Sequence, residues 1–290
     1  MKHLFSGMML LCSVGLLSAQ EQSSPLTAYV SNHIARIAGP SVAPAEAVVE
    51  KAPAARMSLV SQRKTYFRLG ERLITLNRQA TDESVPYIFI SLHNNETAIA
   101  EAARRSIFAQ GGTLLELLND NQREIEFTLF EKELSVDPNN IFTPKGRNRE
   151  LSINSKVDAV ISRQLNSFSQ FILEEIPYDK TIVSVHSNEA GEATVNDYTR
   201  NGSRERDAVQ VFVNPEQNAS DFFVTTDKAI FQQLKDKKFN VVLFGARSKD
   251  DGSLAVYCSR MHRNYVGIET GRGHDAQQEA MIAAIAESMR

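Results

Sequence analysis

The sequence lacks the residues that several classes of site require. Of its 290 residues only two are cysteine. That is too few for a disulfide framework, for a zinc site made only of cysteines, or for an iron–sulfur cluster held by four thiolates. The chain also lacks a basic excess, because 32 Lys and Arg stand against 35 Asp and Glu, for a formal net charge of -3. This balance argues against a protein that binds nucleic acid through its phosphates.

A long apolar run occurs only near the start of the chain. The run extends from Leu4 to Leu17, and the small residues Ser18 and Ala19 then offer a cleavage site. This pattern is typical of a secretory signal peptide, and the run is shorter than the roughly 20 apolar residues of a membrane-spanning helix. We therefore expect residues 1–19 to be removed near Ala19 and the mature protein to be secreted or periplasmic, with no membrane span.

The rest of the chain divides at about residue 57. Residues 20–57 are rich in alanine and proline, a composition that indicates an N-terminal segment and linker. Over residues 58–290, predicted strands alternate with predicted helices, and this alternation favours an α/β sandwich with a mixed or mostly parallel sheet. The predicted strands include residues 85–92, 181–185, 254–257 and 265–268.

Two histidine-bearing clusters follow predicted strands. His93 and Glu96 come directly after strand 85–92, and His186 follows strand 181–185. Open α/β sheets form their sites at the carboxyl ends of strands. Two histidines and one carboxylate can bind zinc and leave a fourth position for water, as catalytic zinc sites do. Taken singly, each cluster is better explained by an ordinary turn, but two matched strand ends favour a metal.

A third polar cluster follows the last predicted strand. Glu269 leads into the glycine-rich turn Thr270-Gly271-Arg272-Gly273-His274 before the final predicted helix. A carboxylate in this place can take a proton from water and pass it to a leaving amine. The alternative interpretation is an exposed glutamate beside an ordinary helix cap.

Read in order, these clusters resemble the zinc carboxypeptidase family, which includes the succinylglutamate desuccinylase and aspartoacylase group. The segment Asp137-Pro138-Asn139-Asn140-Ile141-Phe142 resembles the family's D-x-N-R-x-F motif, and Arg123 lies sixteen residues before Asn139. The resemblance covers roughly residues 85–290. It implies a three-layer α/β sandwich of the phosphorylase/hydrolase-like type, with a mixed, mostly parallel sheet.

The resemblance also implies a role for each motif residue. The expected zinc ligands, for one Zn2+ per chain, are His93, Glu96 and His186. Glu269 is then the general base and acid, Arg123 polarises the scissile carbonyl, and Asn139 binds a substrate carbonyl or carboxylate.

One position departs from the family pattern. The motif arginine is Asn140 here, and asparagine cannot grip a carboxylate through two parallel N–H groups. Candidates to supply the missing charge are Arg147, Arg149 and Arg272. Tyr198, in the polar loop 188–207, is expected to help cover the substrate.

The sequence therefore predicts a secreted zinc-dependent hydrolase. It would cleave an amide bond in a peptide, plausibly a cell-wall peptide, or in an N-acyl amino acid, with metal-activated water and Glu269 as the base. One alternative is a ligand- or peptide-binding protein that keeps the fold without turnover, which Asn140 permits. Another is a structural protein in which the motifs are coincidental.

Overall fold

A computed structural model of the chain describes residues 58–154, 158–189 and 191–289. The predicted signal peptide and linker, residues 1–57, lie outside the described residues. Within the part that is described, no helix is long and apolar enough to cross a membrane.

Strands and helices alternate over most of the described chain. The strands are β1 (Ser61–Leu69), β2 (Arg72–Ala80), β3 (Tyr87–Ser91), β4 (Thr113–Leu118), β5 (Ile125–Leu129), β6 (Lys132–Val136), β7 (Thr181–Asn188), β8 (Ala208–Phe212), β9 (Phe222–Thr225), β10 (Val241–Phe244) and β11 (Tyr265–Gly271). The α-helices are α1 (Thr97–Gln110), α2 (Pro144–Asn154), α3 (Ala159–Glu174), α4 (Lys228–Asp236), α5 (Leu254–Arg260) and α6 (Asp275–Ser288). Short 3-10 turns cover Pro138–Asn140, Val195–Tyr198 and Glu205–Asp207.

Nine of these strands form one sheet in the order β1-β2-β4-β3-β7-β11-β9-β10-β8, and β5 pairs with β6 in a separate hairpin. The four central strands β4, β3, β7 and β11 are mutually parallel. When the pairings are followed outward, only β2, β9 and β10 run against this direction. The prediction of a mixed, mostly parallel sheet is confirmed.

Helices cover both faces of the sheet. Successive side chains of a strand point to opposite faces. Ile88 and Ile90 of β3 share one core with Phe168 of α3, whereas Phe89 shares the other core with Ile107 of α1. The central strands are therefore buried on both sides, which is why β3 is buried throughout and its residues before Ser91 do not alternate between apolar and polar. The result is the expected three-layer α/β sandwich.

The predicted strand at 254–257 is wrong, because these residues begin helix α5, Leu254–Arg260. An apolar run of four residues fits a buried strand or a buried helical turn equally well. The residue before it decides the outcome: the Ser253 hydroxyl accepts a hydrogen bond from the Val256 backbone N–H, as a helix N-cap does. Cys258, the residue after this run, is buried in the same helix.

Helix α2 and the outer strands β8 and β9 were absent from the sequence prediction. Gly146 and Arg149, read as a loop, belong to α2. A Cβ on Gly146 would lie 2.2 Å from the Cα of Gly252, so the helix packs backbone to backbone against the turn before α5. A contact between segments this distant in sequence leaves no local signal.

We predict that Gly252→Ala is strongly destabilising. Gly252 has φ +85, and a Cβ there would lie 2.0 Å from the Asn140 carbonyl oxygen. Backbone strain and overpacking each cost about 1–3 kcal/mol, so we expect a loss of about 3–5 kcal/mol in the free energy of unfolding, measured by urea denaturation. Gly191→Ala is the control, because φ is +90 and nothing lies within 4 Å. Equal losses in the two variants would show that the close contact is unimportant.

Candidate metal centre and adjoining cavity

The topology brings the three polar clusters to one edge of the sheet. His93 and Glu96 lie between the end of β3 and the start of α1, and His186 lies in β7. Glu269 in β11 is the direct register partner of His186. Because β3, β7 and β11 are adjacent and parallel, their carboxyl ends meet, as expected for an α/β site.

Three of these side chains form a cluster that could hold a metal ion. The ligand atoms of His93, Glu96 and His186 all lie within 4.8 Å of one another, and all three residues are buried. His93 Nδ1 lies 2.9 Å from Glu96 Oε1, and His186 Nδ1 lies 3.7 Å from Glu96 Oε2. Neighbouring ligands of tetrahedral zinc are separated by about 3.3 Å, given bonds of about 2.0 Å. The cluster has the dimensions of such a site.

Hydrogen bonds orient both imidazole rings for this purpose. His93 Nε2 donates to Asp137 Oδ1 over 2.9 Å, and His186 Nε2 is hydrogen-bonded to Ser184 Oγ over 2.7 Å. Such contacts hold a metal-binding histidine in one tautomer and orientation. They leave Nδ1 of both rings facing Glu96. Nδ1 of His93 is buried and makes no aligned hydrogen bond, which fits a ligand atom for a metal.

The charges of the cluster are strongly coupled. Burial lowers the pKa of His93, but the hydrogen bond to Asp137 and the close carboxylate of Glu96 outweigh it and raise that pKa to about 9. Burial raises the pKa of Glu96, yet hydrogen bonds from His186 and His93 hold it well below the usual value. Glu96 is therefore ionised, and a metal ion bound at Nδ1 takes the place of a proton on His93.

Arg123 closes the other side of the cluster. Its Nη1 lies 2.6 Å from Glu96 Oε1, and its Nη2 lies 3.7 Å from Asp137 Oδ2. The Ser187 backbone N–H also donates to Glu96 Oε2 over 2.9 Å. The side chain of Glu96 is only 1% exposed, so its orientation is held from several directions.

A cavity of about 380 Å³ opens beside the cluster. Sequence-predicted site residues on its wall are His93, Arg123, Asn139, Asn140, His186, Tyr198 and Glu269. The Glu269 carboxylate accepts a hydrogen bond from Asn188 Nδ2 over 2.9 Å. The Tyr198 side chain is buried, and burial raises its pKa to about 12. The histidines of the cluster, the Glu269 carboxylate and the Tyr198 side chain thus line the same cavity.

The three arginines predicted to replace the missing motif arginine do not line this cavity. Arg147 is buried and donates to the Ile141 carbonyl over 2.8 Å. Arg149 donates to the Asp251 carbonyl over 2.6 Å. Arg272 pairs with Glu189 over 2.8 Å, and its side chain is 51% exposed. Each is engaged in holding a loop or helix.

Among the residues of the cavity wall that sequence reasoning missed are Asn188, Arg204 and Asp251. A signal for Asn188 was present, because residues 186 and 188 share one face of a strand. Arg204 and Asp251 carry no such signal. They reach the cavity from loops that only the packed structure positions.

No family model matches the chain, and no curated protein matches it. Several solved structures are similar to it. The murein-tripeptide amidase MpaA from Escherichia coli O157 is 10% identical with a TM-score of 0.37, over 74% of this chain and 86% of that one. The succinylglutamate desuccinylase/aspartoacylase from Rhodobacter sphaeroides is 12% identical with a TM-score of 0.40, over 81% and 69%. The Legionella pneumophila LapA aminopeptidase is 11% identical with a TM-score of 0.37, over 80% and 59%.

These structures include the desuccinylase and aspartoacylase group that the sequence motifs resemble. The TM-scores lie below 0.5, so a functional proposal has to stand on the geometry of the site.

Proposed function

We propose that this protein is a secreted, zinc-dependent hydrolase that cleaves an amide bond in a peptide or an N-acyl amino acid. The observation that carries the proposal is the convergence of His93, Glu96 and His186 on one point beside the Glu269 carboxylate. The cavity that His93, His186 and Glu269 line is large enough for a few amino-acid residues.

The donor set fits a zinc ion. Two imidazole nitrogens and a carboxylate are zinc ligand types, and three protein ligands are the number found in catalytic sites. The buried Nδ1 of His93, which faces Glu96 without an aligned hydrogen bond, supports the same assignment. A zinc ion held there supplies Lewis-acid polarisation of a carbonyl and a lowered pKa for water.

Glu269 is the group we assign to proton transfer. It lines the cavity on the strand next to His186, and Asn188 holds one carboxylate oxygen, Oε2. The other oxygen, Oε1, is then free to take a proton from the attacking water and to deliver it to the leaving amine. Both transfers need a carboxylate fixed in orientation, and the Asn188 amide provides that.

Arg123 and Asn139 are assigned to the carbonyl group of the substrate. Arg123 lines the cavity as a permanent cation, a suitable partner for the negative charge that develops on the carbonyl oxygen. Asn139 Oδ1 accepts a hydrogen bond from the Leu254 backbone N–H over 3.3 Å. Its amide N–H groups are therefore turned away from that bond and can donate to a substrate oxygen.

Export and substrate class rest on the sequence. A signal peptide at residues 1–19 would place the enzyme outside the cytoplasm, where cell-wall peptides are plausible substrates. The alternative function is a peptide-binding protein without turnover. Asn140 favours it, because this neutral side chain lies on the cavity wall where the family motif carries an arginine.

The test is metal-dependent turnover. We expect about one zinc per chain by elemental mass spectrometry of the exported protein, and hydrolysis of members of a panel of peptides and N-acyl amino acids. Chelation should abolish turnover and added zinc should restore it, because the metal polarises the carbonyl. Zinc without turnover on any panel member would support the binding protein, and no zinc after reconstitution would overturn both.

A further inference from the structure

The cavity contains one arginine whose charge no carboxylate neutralises. Arg123 is paired with Glu96 and Asp137. Arg204 also lines the cavity, yet within the part of the chain described here it has no carboxylate oxygen at ion-pair distance. An unneutralised guanidinium at the wall of a polar cavity is a natural partner for an anionic group of a ligand.

The one hydrogen bond of this guanidinium prepares a second donor. Arg204 Nη1 donates to the Tyr198 hydroxyl oxygen over 3.1 Å. Since that oxygen is the acceptor, the hydroxyl proton remains to be donated elsewhere. The Tyr198 side chain is buried against Phe222 and lines the same cavity, so this proton is available to a group inside it. The pair thus offers a cation and a neutral donor side by side.

The loop that carries this pair is held by Asp197. Its carboxylate accepts hydrogen bonds from the backbone and hydroxyl of Thr194 and from the Ser203 hydroxyl. Its carbonyl accepts from the Arg204 backbone N–H over 2.7 Å. Gly202 is needed for this turn, because a Cβ there would lie 2.3 Å from the same carbonyl. The backbone that presents Arg204 is therefore fixed before any ligand binds.

The carboxylates of the cavity repel an anion elsewhere. Asp137, Glu192, Asp251 and Glu269 line it, and among them only Asp137 forms an ion pair with a described side chain. The nearby Tyr198 raises the pKa of Arg204, and Asp251 and Glu269 raise it further although burial opposes the shift. The cation is permanent, so Arg204 attracts a carboxylate that the acids of the cavity repel.

We propose that Arg204 and the Tyr198 hydroxyl form the subsite for a carboxylate of the substrate, replacing the charge that Asn140 lacks. The inference rests on the proposed function in one respect, because it assigns that carboxylate to the molecule whose amide bond is cleaved. It defines the preferred substrates as peptides or acylated amino acids with a free carboxylate close to the scissile amide, in place of amidated or esterified ones.

The test compares two probes that differ only in this charge. N-acetylglycine and N-acetylglycinamide are achiral and small, so an unknown preference for stereochemistry or side chain does not affect them. We would titrate each into zinc-loaded 15N-labelled protein and follow the Nε–H resonance of Arg204, identified by its absence in Arg204→Gln. The acid should shift this resonance and bind about tenfold more tightly than the amide, as expected for about 1.4 kcal/mol from a charge-assisted hydrogen bond.

Arg204→Gln should reduce this preference for the acid to about twofold or less, and Tyr198→Phe should reduce it partly. Arg200→Gln is the matched control, because Arg200 lies on the same loop, is exposed and does not line the cavity. It should retain the full preference. A preference unchanged in Arg204→Gln, or an Arg204 resonance that does not respond to the acid, would overturn the subsite.

The same titration separates this inference from the proposed function. Binding requires no turnover, so a preference for the acid that depends on Arg204, in a protein that hydrolyses nothing, would keep the subsite and reject the hydrolase. Repeating the titration on metal-free protein shows whether the carboxylate of N-acetylglycine binds to zinc instead of to Arg204. A preference that requires zinc and is indifferent to Arg204 would count against the proposal.

Discussion

Glu269→Gln should leave zinc bound and reduce the turnover number by about 10²–10⁴-fold, the usual contribution of general acid–base catalysis. Glutamine has nearly the same shape, and its amide oxygen can still accept the hydrogen bond that Asn188 donates to Oε2. What it loses is the capacity to take a proton from water and return it to the leaving amine. The change therefore isolates proton transfer from folding and from metal binding.

Glu192→Gln is the control for this prediction. Glu192 is also a carboxylate of the cavity wall, and its Oε2 accepts a hydrogen bond from the Glu189 backbone N–H. Removing its charge changes the electrostatic potential of the cavity but touches no residue of the metal cluster, so the rate should change by less than about tenfold. If both variants lose activity equally, charge in the cavity matters and Glu269 has no special role. A near-normal rate in Glu269→Gln would remove it from the mechanism.

His93→Ala should abolish stoichiometric zinc binding. It removes one of the three proposed protein ligands and also separates Asp137 from the proposed metal centre, because Asp137 contacts His93 Nε2. Loss of an outer partner of a metal ligand typically costs 10–100-fold in affinity, so loss of the ligand itself should cost more than about 100-fold. Elemental mass spectrometry measures the zinc content per chain, and a competition titration with a chelator measures the zinc affinity.

His262→Asn and Asp137→Asn complete this experiment. His262 is exposed, has φ 52 and lies outside the cluster, and asparagine tolerates that backbone conformation, so the variant should bind zinc normally. Asp137→Asn should bind zinc about 10–100-fold more weakly than the wild type, which places its affinity between those of His262→Asn and His93→Ala. Circular dichroism confirms that each variant is folded. Stoichiometric zinc in folded His93→Ala would reject the ligand assignment.

The sequence by itself determined which segments cross the sheet and where their polar residues stand. The apolar run 85–92 predicted a buried strand, and β3 is buried over its whole length. Over 157–176, before Pro177, apolar residues recur every three to four positions, which is the period of helix α3, and Gly70 lies in the turn between β1 and β2. These elements are set by local rules: burial on two faces, helical periodicity and a glycine turn.

The sequence also indicated that His93, Glu96, His186 and Glu269 meet, because each stands at the end of a predicted strand. That inference used one general property of α/β sheets, the common edge of parallel strands, together with the family resemblance. The register that sets Glu269 directly beside His186 is a property of the folded sheet.

Only the tertiary structure decided the rest of the site. The sequence candidates for a substrate-binding arginine were Arg147, Arg149 and Arg272, and nothing in the local sequence distinguishes them from Arg204, which also lies in a polar loop. In the folded protein the first three arginines bind groups outside the cavity. The turn that Asp197 stabilises places Arg204 on the cavity wall. The structure also decided helix α5, because its short apolar start fits a strand or a helix equally well and the N-cap Ser253 selects the helix. Such outcomes depend on contacts between residues far apart in the chain, and local pattern does not encode them.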